Sequence, residues 1–95
     1  MTNFSTGPWE IGFEANGELT ILAGGNIIAR TEASRKKSIR DANAKLIAAA
    51  PEMYDELYEI LQFIRYKTTL LGSHEYARWA KDIEELLARI DGKEK

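Results

Sequence analysis

The residues best suited to chemistry in this chain are bases and aromatics. Arg30, Arg35, Lys36, Lys37 and Arg40 crowd into residues 30–40. Cations this close suit an anion with several oxygens, above all phosphate, because each forms charge-assisted hydrogen bonds. If the block opens a helix, the first turn adds unpaired N–H groups and partial positive charge. Bases there repel one another and the dipole until an anion arrives. Trp9, Tyr54 and Tyr58 are the aromatics suited to stacking a purine, a contact worth roughly 1–3 kcal/mol. The plainer use of the same bases is a solvated face paired with Glu52 or Asp55. The plainer use of the same rings is core packing.

Catalytic groupings are sparse. His74 is the single histidine. It falls at the start of a predicted helix, in Ser73-His74-Glu75, with no second histidine four residues on, so the zinc-protease spacing is absent. Glu52, Asp55, Glu56 and Glu59, and likewise Asp82, Glu84 and Glu85, recur at spacings that cover a polar helix face. Acid–base catalysis by paired carboxylates needs burial that separates their pKa values. Gly24-Gly25 lacks the Lys-Ser/Thr of a phosphate-binding loop. There is no cysteine, which removes disulfides and thiolate metal sites. No catalytic residue, metal site or cofactor is expected.

The 95 residues suffice for a single domain with a thin core. Thirteen Lys and Arg against fifteen Asp and Glu give a net charge of −2, which does not suit general nucleic-acid binding. No apolar run approaches the ~20 residues of a membrane span, and the opening residues lack the apolar core of a secretion signal. A cytoplasmic location in a host cell, without membrane or direct nucleic-acid binding, is expected.

The elements that must position these residues are legible from periodicity. Residues 1–6 read as a loose lead-in and 7–31 as a β-meander. Trp9, Ile11 and Phe13 alternate with Glu10, Gly12 and Glu14, as in a half-buried strand. Asn16-Gly17 predicts a type I′ hairpin turn before Leu19-Thr20-Ile21. Gly24-Gly25 marks a second tight turn before a third strand, Asn26 to Arg30. Residues 32–92 read as helical. Helix one starts at Glu32 or Ile39, capped by Thr31 or Ser38, and ends at Ala50, with Ile39, Leu46, Ile47 and Ala50 as its stripe. Pro51 opens helix two, which runs to Thr68 with Tyr54, Leu57, Tyr58, Leu61 and Ile64 or Arg65 facing inward. Ser73 caps helix three, His74 to Ile90, and Asp91-Gly92 stops it. Residues 93–95 read as a frayed tail. The fold class is therefore α+β: a three-stranded antiparallel meander, then three helices, the last two a long antiparallel hairpin. That hairpin outreaches a three-stranded sheet. Phe63, Tyr66, Leu70 and Leu71 then need cover, and a second copy of the chain is the simplest cover, so a homo-oligomer is expected.

Two strings carry a resemblance. Gly7-Pro8-Trp9, followed by a short β segment and then Asn43-Ala44-Lys45-Leu46-Ile47-Ala48-Ala49-Ala50-Pro51, resembles a group of small phage and prophage proteins over residues 7–64. The Ala-Ala-Ala-Pro corner reads physically as close helix packing. Tyr54 and Tyr58 stand where that group usually has aliphatic residues, and the Arg35-Lys36-Lys37 block is more basic. By analogy, the resemblance implies a non-enzymatic anti-defence protein. The leading expectation is a sponge for a phosphate-bearing, cyclic-nucleotide-type immune signal, held by Arg30, Arg35, Lys36, Lys37 and Arg40 with Trp9, Tyr54 or Tyr58 stacking the base. The alternatives are a protein–protein inhibitor of a host defence complex, with a host protein as partner, and an accessory phage structural or regulatory protein.

Overall fold

In the computed structural model, which describes residues 4–31 and 36–92, the alternating stretch forms three five-residue strands. They are β1 (Trp9–Phe13), β2 (Leu19–Ala23) and β3 (Asn26–Arg30), in an antiparallel sheet of order β1-β2-β3. Three helices follow: α1 (Lys37–Ala48), α2 (Ala50–Leu71) and α3 (His74–Ile90). The α+β class read from the sequence is the observed one. The loose lead-in and frayed tail were read partly on residues 1–3 and 93–95, which lie outside the described residues, as does the helix start at Glu32.

The two hairpin turns differ in kind. The type I′ geometry expected at Asn16-Gly17 is not found there. A type I′ turn needs positive φ at both central residues, and no described non-glycine residue has one. Gly17 alone does, at 89°, and the N–H groups of Gly17 and Glu14 reach the carbonyls of Glu14 and Glu18. This is a longer loop, and the Asn16 side chain accepts from Glu18 N–H at 3.0 Å. Gly24 and Gly25, at 57° and 84°, form the two-residue turn in which both φ values are positive.

The chain divides into two compact units, Met1–Glu52 and Met53–Lys95. The first has its core at Leu19, Ile21 and Ala44, with Trp9, Ile11, Ala29, Ile47 and Ala48 packed around it. β2 is central and almost wholly buried. Phe13, expected on the inner face of β1, is 82% exposed. Gly12 lies opposite Thr20, and a Cβ on Gly12 would meet Thr20 Oγ1 at 2.6 Å. Gly7 likewise approaches Pro51, its absent Cβ 2.9 Å from the proline Cβ. The two strings that carry the sequence resemblance therefore meet here.

α1 corrects the expected stripe. Ile39 and Leu46 are exposed, and the packed positions are Ala44, Ile47 and Ala48. The small residues bring the helix close to the sheet, and large neighbours would hold it away. Neither expected cap is used. Lys36 occupies the N-cap without a side-chain hydrogen bond. Ser38 lies inside the helix, and Thr31 continues the sheet instead. Thr31 N–H donates to Leu19 O at 2.8 Å, and its hydroxyl accepts from Leu19 N–H. Pro51 is the second residue of α2, whose helix runs past Thr68 to Leu71.

In the second unit α2 and α3 pack antiparallel. Leu61 and Ile64 from α2 and Ala80 and Leu87 from α3 are buried. Arg65 donates to Glu84 Oε1 through Nε and Nη2 at 3.1 and 3.0 Å. Ser73 caps α3 as read from the sequence, accepting from Tyr76 N–H.

Candidate functional site

The basic block belongs to the first unit, and its members have different tasks. Arg40 shares a helix face with Ala44, Ile47 and Ala48, since these positions are three or four residues apart. Its side chain is only 15% exposed. Nη1 donates to the Gly17 carbonyl in the β1–β2 loop, and Nη2 reaches Asp41 Oδ1 at 3.4 Å. Arg30, at the end of β3, pairs loosely with Glu18 at 3.7 Å. Lys37 Nζ donates to Asp41 Oδ2 at 2.8 Å across one helical turn. That hydrogen bond is the main reason the Asp41 carboxyl is held below its ordinary value of 3.8, and Arg40 adds to it. Lys36 is exposed at the helix start. Arg35 lies outside the described residues.

The start of α1 concentrates positive charge. It has no acidic residue in its first turn, and among the described residues no side chain caps it. First-turn N–H groups left without intrahelical partners carry partial positive charge. Exposed Lys36 adds a full charge at the same place, and exposed Lys37 adds one that is already paired with Asp41. Elsewhere in the chain the same problem is solved by side chains: α3 has Ser73 as cap and Glu75 in its first turn.

The aromatics expected to stack a base belong to different units. Trp9 is in the first unit, half-buried against the core, with Nε1 donating to Ser5 O at 3.0 Å and Phe4 edge-on at 6.1 Å. Tyr54 and Tyr58 are in the second unit, with ring centroids 5.0 Å apart. Both hydroxyls donate to Asp91, at 2.5 Å from Tyr54 and 2.7 Å from Tyr58. Burial, reinforced by the Asp91 and Tyr58 hydrogen bonds, holds the Tyr54 hydroxyl protonated well above its ordinary 10.0.

Asp91 is the functional-looking group that reading along the chain misses. The sequence marks it only as a helix stop, and it is indeed the C-cap of α3. It is also a buried carboxylate, 7% exposed. Folding the helices back on each other at Gly72-Ser73 sets Asp91 opposite Tyr54 and Tyr58, so hairpin register was the signal for it. An open groove of about 210 Å³ runs beside it, lined by Tyr58, Leu61, Arg65, Glu84 and Leu87. His74 is exposed. Among the described residues no group of three or more His, Cys, Asp or Glu side chains is placed to hold a metal ion. No helix among them is long and apolar enough to cross a membrane.

These features define a small α+β protein with a basic helix start at α1. The chain belongs to the family of Salmonella phage P22 protein Y8K6, whose model matches residues 1–93. It is thus a phage-type protein, and the family match takes in α3, which the sequence resemblance did not reach. No curated protein and no solved structure matches the chain.

Proposed function

We propose that this protein is a non-catalytic phage binding protein that sequesters a phosphate-bearing small molecule, of the cyclic-nucleotide class used as immune signals, in the host cytoplasm. The observation that carries this reading is the start of α1. It has two exposed lysines, no first-turn acid and, among the described residues, no side-chain cap. A phosphate seated there would accept from first-turn N–H groups and from Lys36, and Lys37 would reach it by leaving Asp41. Arg35 adjoins them in sequence. Arg30, with a 3.7 Å pair that is easily broken, supplies a further cation. Arg40 supports the site by holding α1 to the β1–β2 loop. Trp9, in the same unit, is the aromatic proposed for the base.

Binding is tested by calorimetry with inorganic phosphate, pyrophosphate and a panel of cyclic mono-, di- and trinucleotides. The reading expects one cyclic nucleotide to bind and a K36E/K37E variant to lose it. Binding that survives this double charge reversal contradicts the site.

A second reading rests on a different surface. Glu52, Asp55, Glu56 and Glu59 on α2 and Glu75, Asp82, Glu84 and Glu85 on α3 are all exposed. Such an acidic surface suits a host protein that ordinarily grips nucleic acid. A stoichiometric complex with one host protein, with no small molecule bound, is its signature.

A further inference from the structure

α2 has two apolar stripes, and α3 accounts for only one. Tyr54, Tyr58, Leu61 and Arg65 face α3. Roughly on the opposite side of the helix, at 3.6 residues per turn, lie Met53, Glu56, Ile60, Phe63, Lys67 and Leu70. Their spacing alternates three and four residues without a break, the pattern of a coiled-coil seam. Met53, Ile60, Phe63 and Leu70 are 48%, 44%, 57% and 60% exposed. Glu56 is exposed, and Lys67 folds over the Phe63 ring, 5.4 Å from its centroid.

The pattern of apolar and charged positions in this seam reads the same in both directions, with the two charges opposite in sign. About a midpoint between Ile60 and Phe63, Ile60 mirrors Phe63, Glu56 mirrors Lys67 and Met53 mirrors Leu70. We propose that this seam pairs antiparallel with the α2 seam of a second copy of the chain, about a two-fold axis between Ile60 and Phe63. Each apolar residue then meets an apolar residue, and Glu56 of each copy meets Lys67 of the other. The parallel in-register alternative sets Glu56 against Glu56 and Lys67 against Lys67, which like-charge repulsion disfavours. A polar pair inside an apolar seam costs some affinity and fixes orientation and register. The match extends about 25 Å along the helix, at 1.5 Å per residue. A two-helix unit of this size also has too little core by itself, which a partner seam supplies. The proposal stands on α2 alone and is independent of any ligand at α1.

Sedimentation equilibrium of the full chain tests it. The wild type is expected to be a dimer or a multiple of dimers. I60E/F63E should lose dimerisation by more than about a hundredfold while keeping its helical circular dichroism, because both side chains face solvent in the single chain. E56K or K67E alone should weaken dimerisation by about tenfold, and E56K/K67E together should restore it, since the swapped pair is again complementary. A wild-type monomer overturns the proposal. So does a dimer indifferent to I60E/F63E, and so does a charge-swapped double variant no better than either single one.

Discussion

Arg40 of α1 donates through Nη1 to the backbone carbonyl of Gly17, joining the helix to the β1–β2 loop across twenty-three positions of sequence. Its placement in the packed stripe of α1 separates two kinds of base within one charged block. Arg40 holds the fold, and Lys36 and Lys37 remain at the surface.

That separation is measurable. R40A should lose about 2 kcal/mol of stability, the order expected for a charged hydrogen bond together with the packing of a largely buried side chain, and lower Tm by roughly 10 °C. K36A should leave Tm unchanged within about 0.5 kcal/mol and weaken phosphate-ligand binding. Thermal unfolding read alongside calorimetry distinguishes the two effects. An R40A chain as stable as wild type would show that the Gly17 contact is dispensable.

Gly12 faces Thr20 with no room for a side chain. G12A should cost about 1–3 kcal/mol, because Thr20 and Leu22 belong to the central strand and are not free to move away. Urea unfolding reads this as a lower midpoint with an unchanged slope.

The Tyr54 hydroxyl is raised by burial, and the sign of its pH dependence follows. Unfolded Tyr54 ionises near 10.0, and the folded group resists ionisation above that. Its stabilisation is therefore complete below pH 10 and is lost as pH rises above it. Stability of the wild type should fall from about pH 10 upward, and Y54F should flatten that fall. At neutral pH, Y54F should itself cost about 1–3 kcal/mol, because buried Asp91 loses a donor. Denaturation followed across pH 7 to 11 checks both statements.

Much of the fold was legible because its signals are local. Ser73 as cap, the helix to Ile90 and the third strand at Asn26–Arg30 all follow from spacing within a few residues. The misreadings came where two distant pieces meet. Thr31 has the chemistry of a helix cap, but pairing with Leu19 across the sheet outweighs it. Ile39 and Leu46 looked like core because they are large, whereas contact with the sheet rewards the small Ala44 and Ala48. The candidate site was legible as charge, since Lys36 and Lys37 stand out in the string itself. Its division of labour was not, because Arg40 is distinguished from its neighbours only by which helix face meets Gly17. Asp91 was hidden for the same reason: its partners, Tyr54 and Tyr58, are in the other helix.

The central claim is ligand capture, and native mass spectrometry of protein purified gently from cells making candidate nucleotide signals tests it most directly. The account predicts a species heavier than its chains by one or more nucleotide-sized increments, with the increment absent from K36E/K37E. A species whose mass equals that of its chains alone, unchanged by those signals, would contradict it.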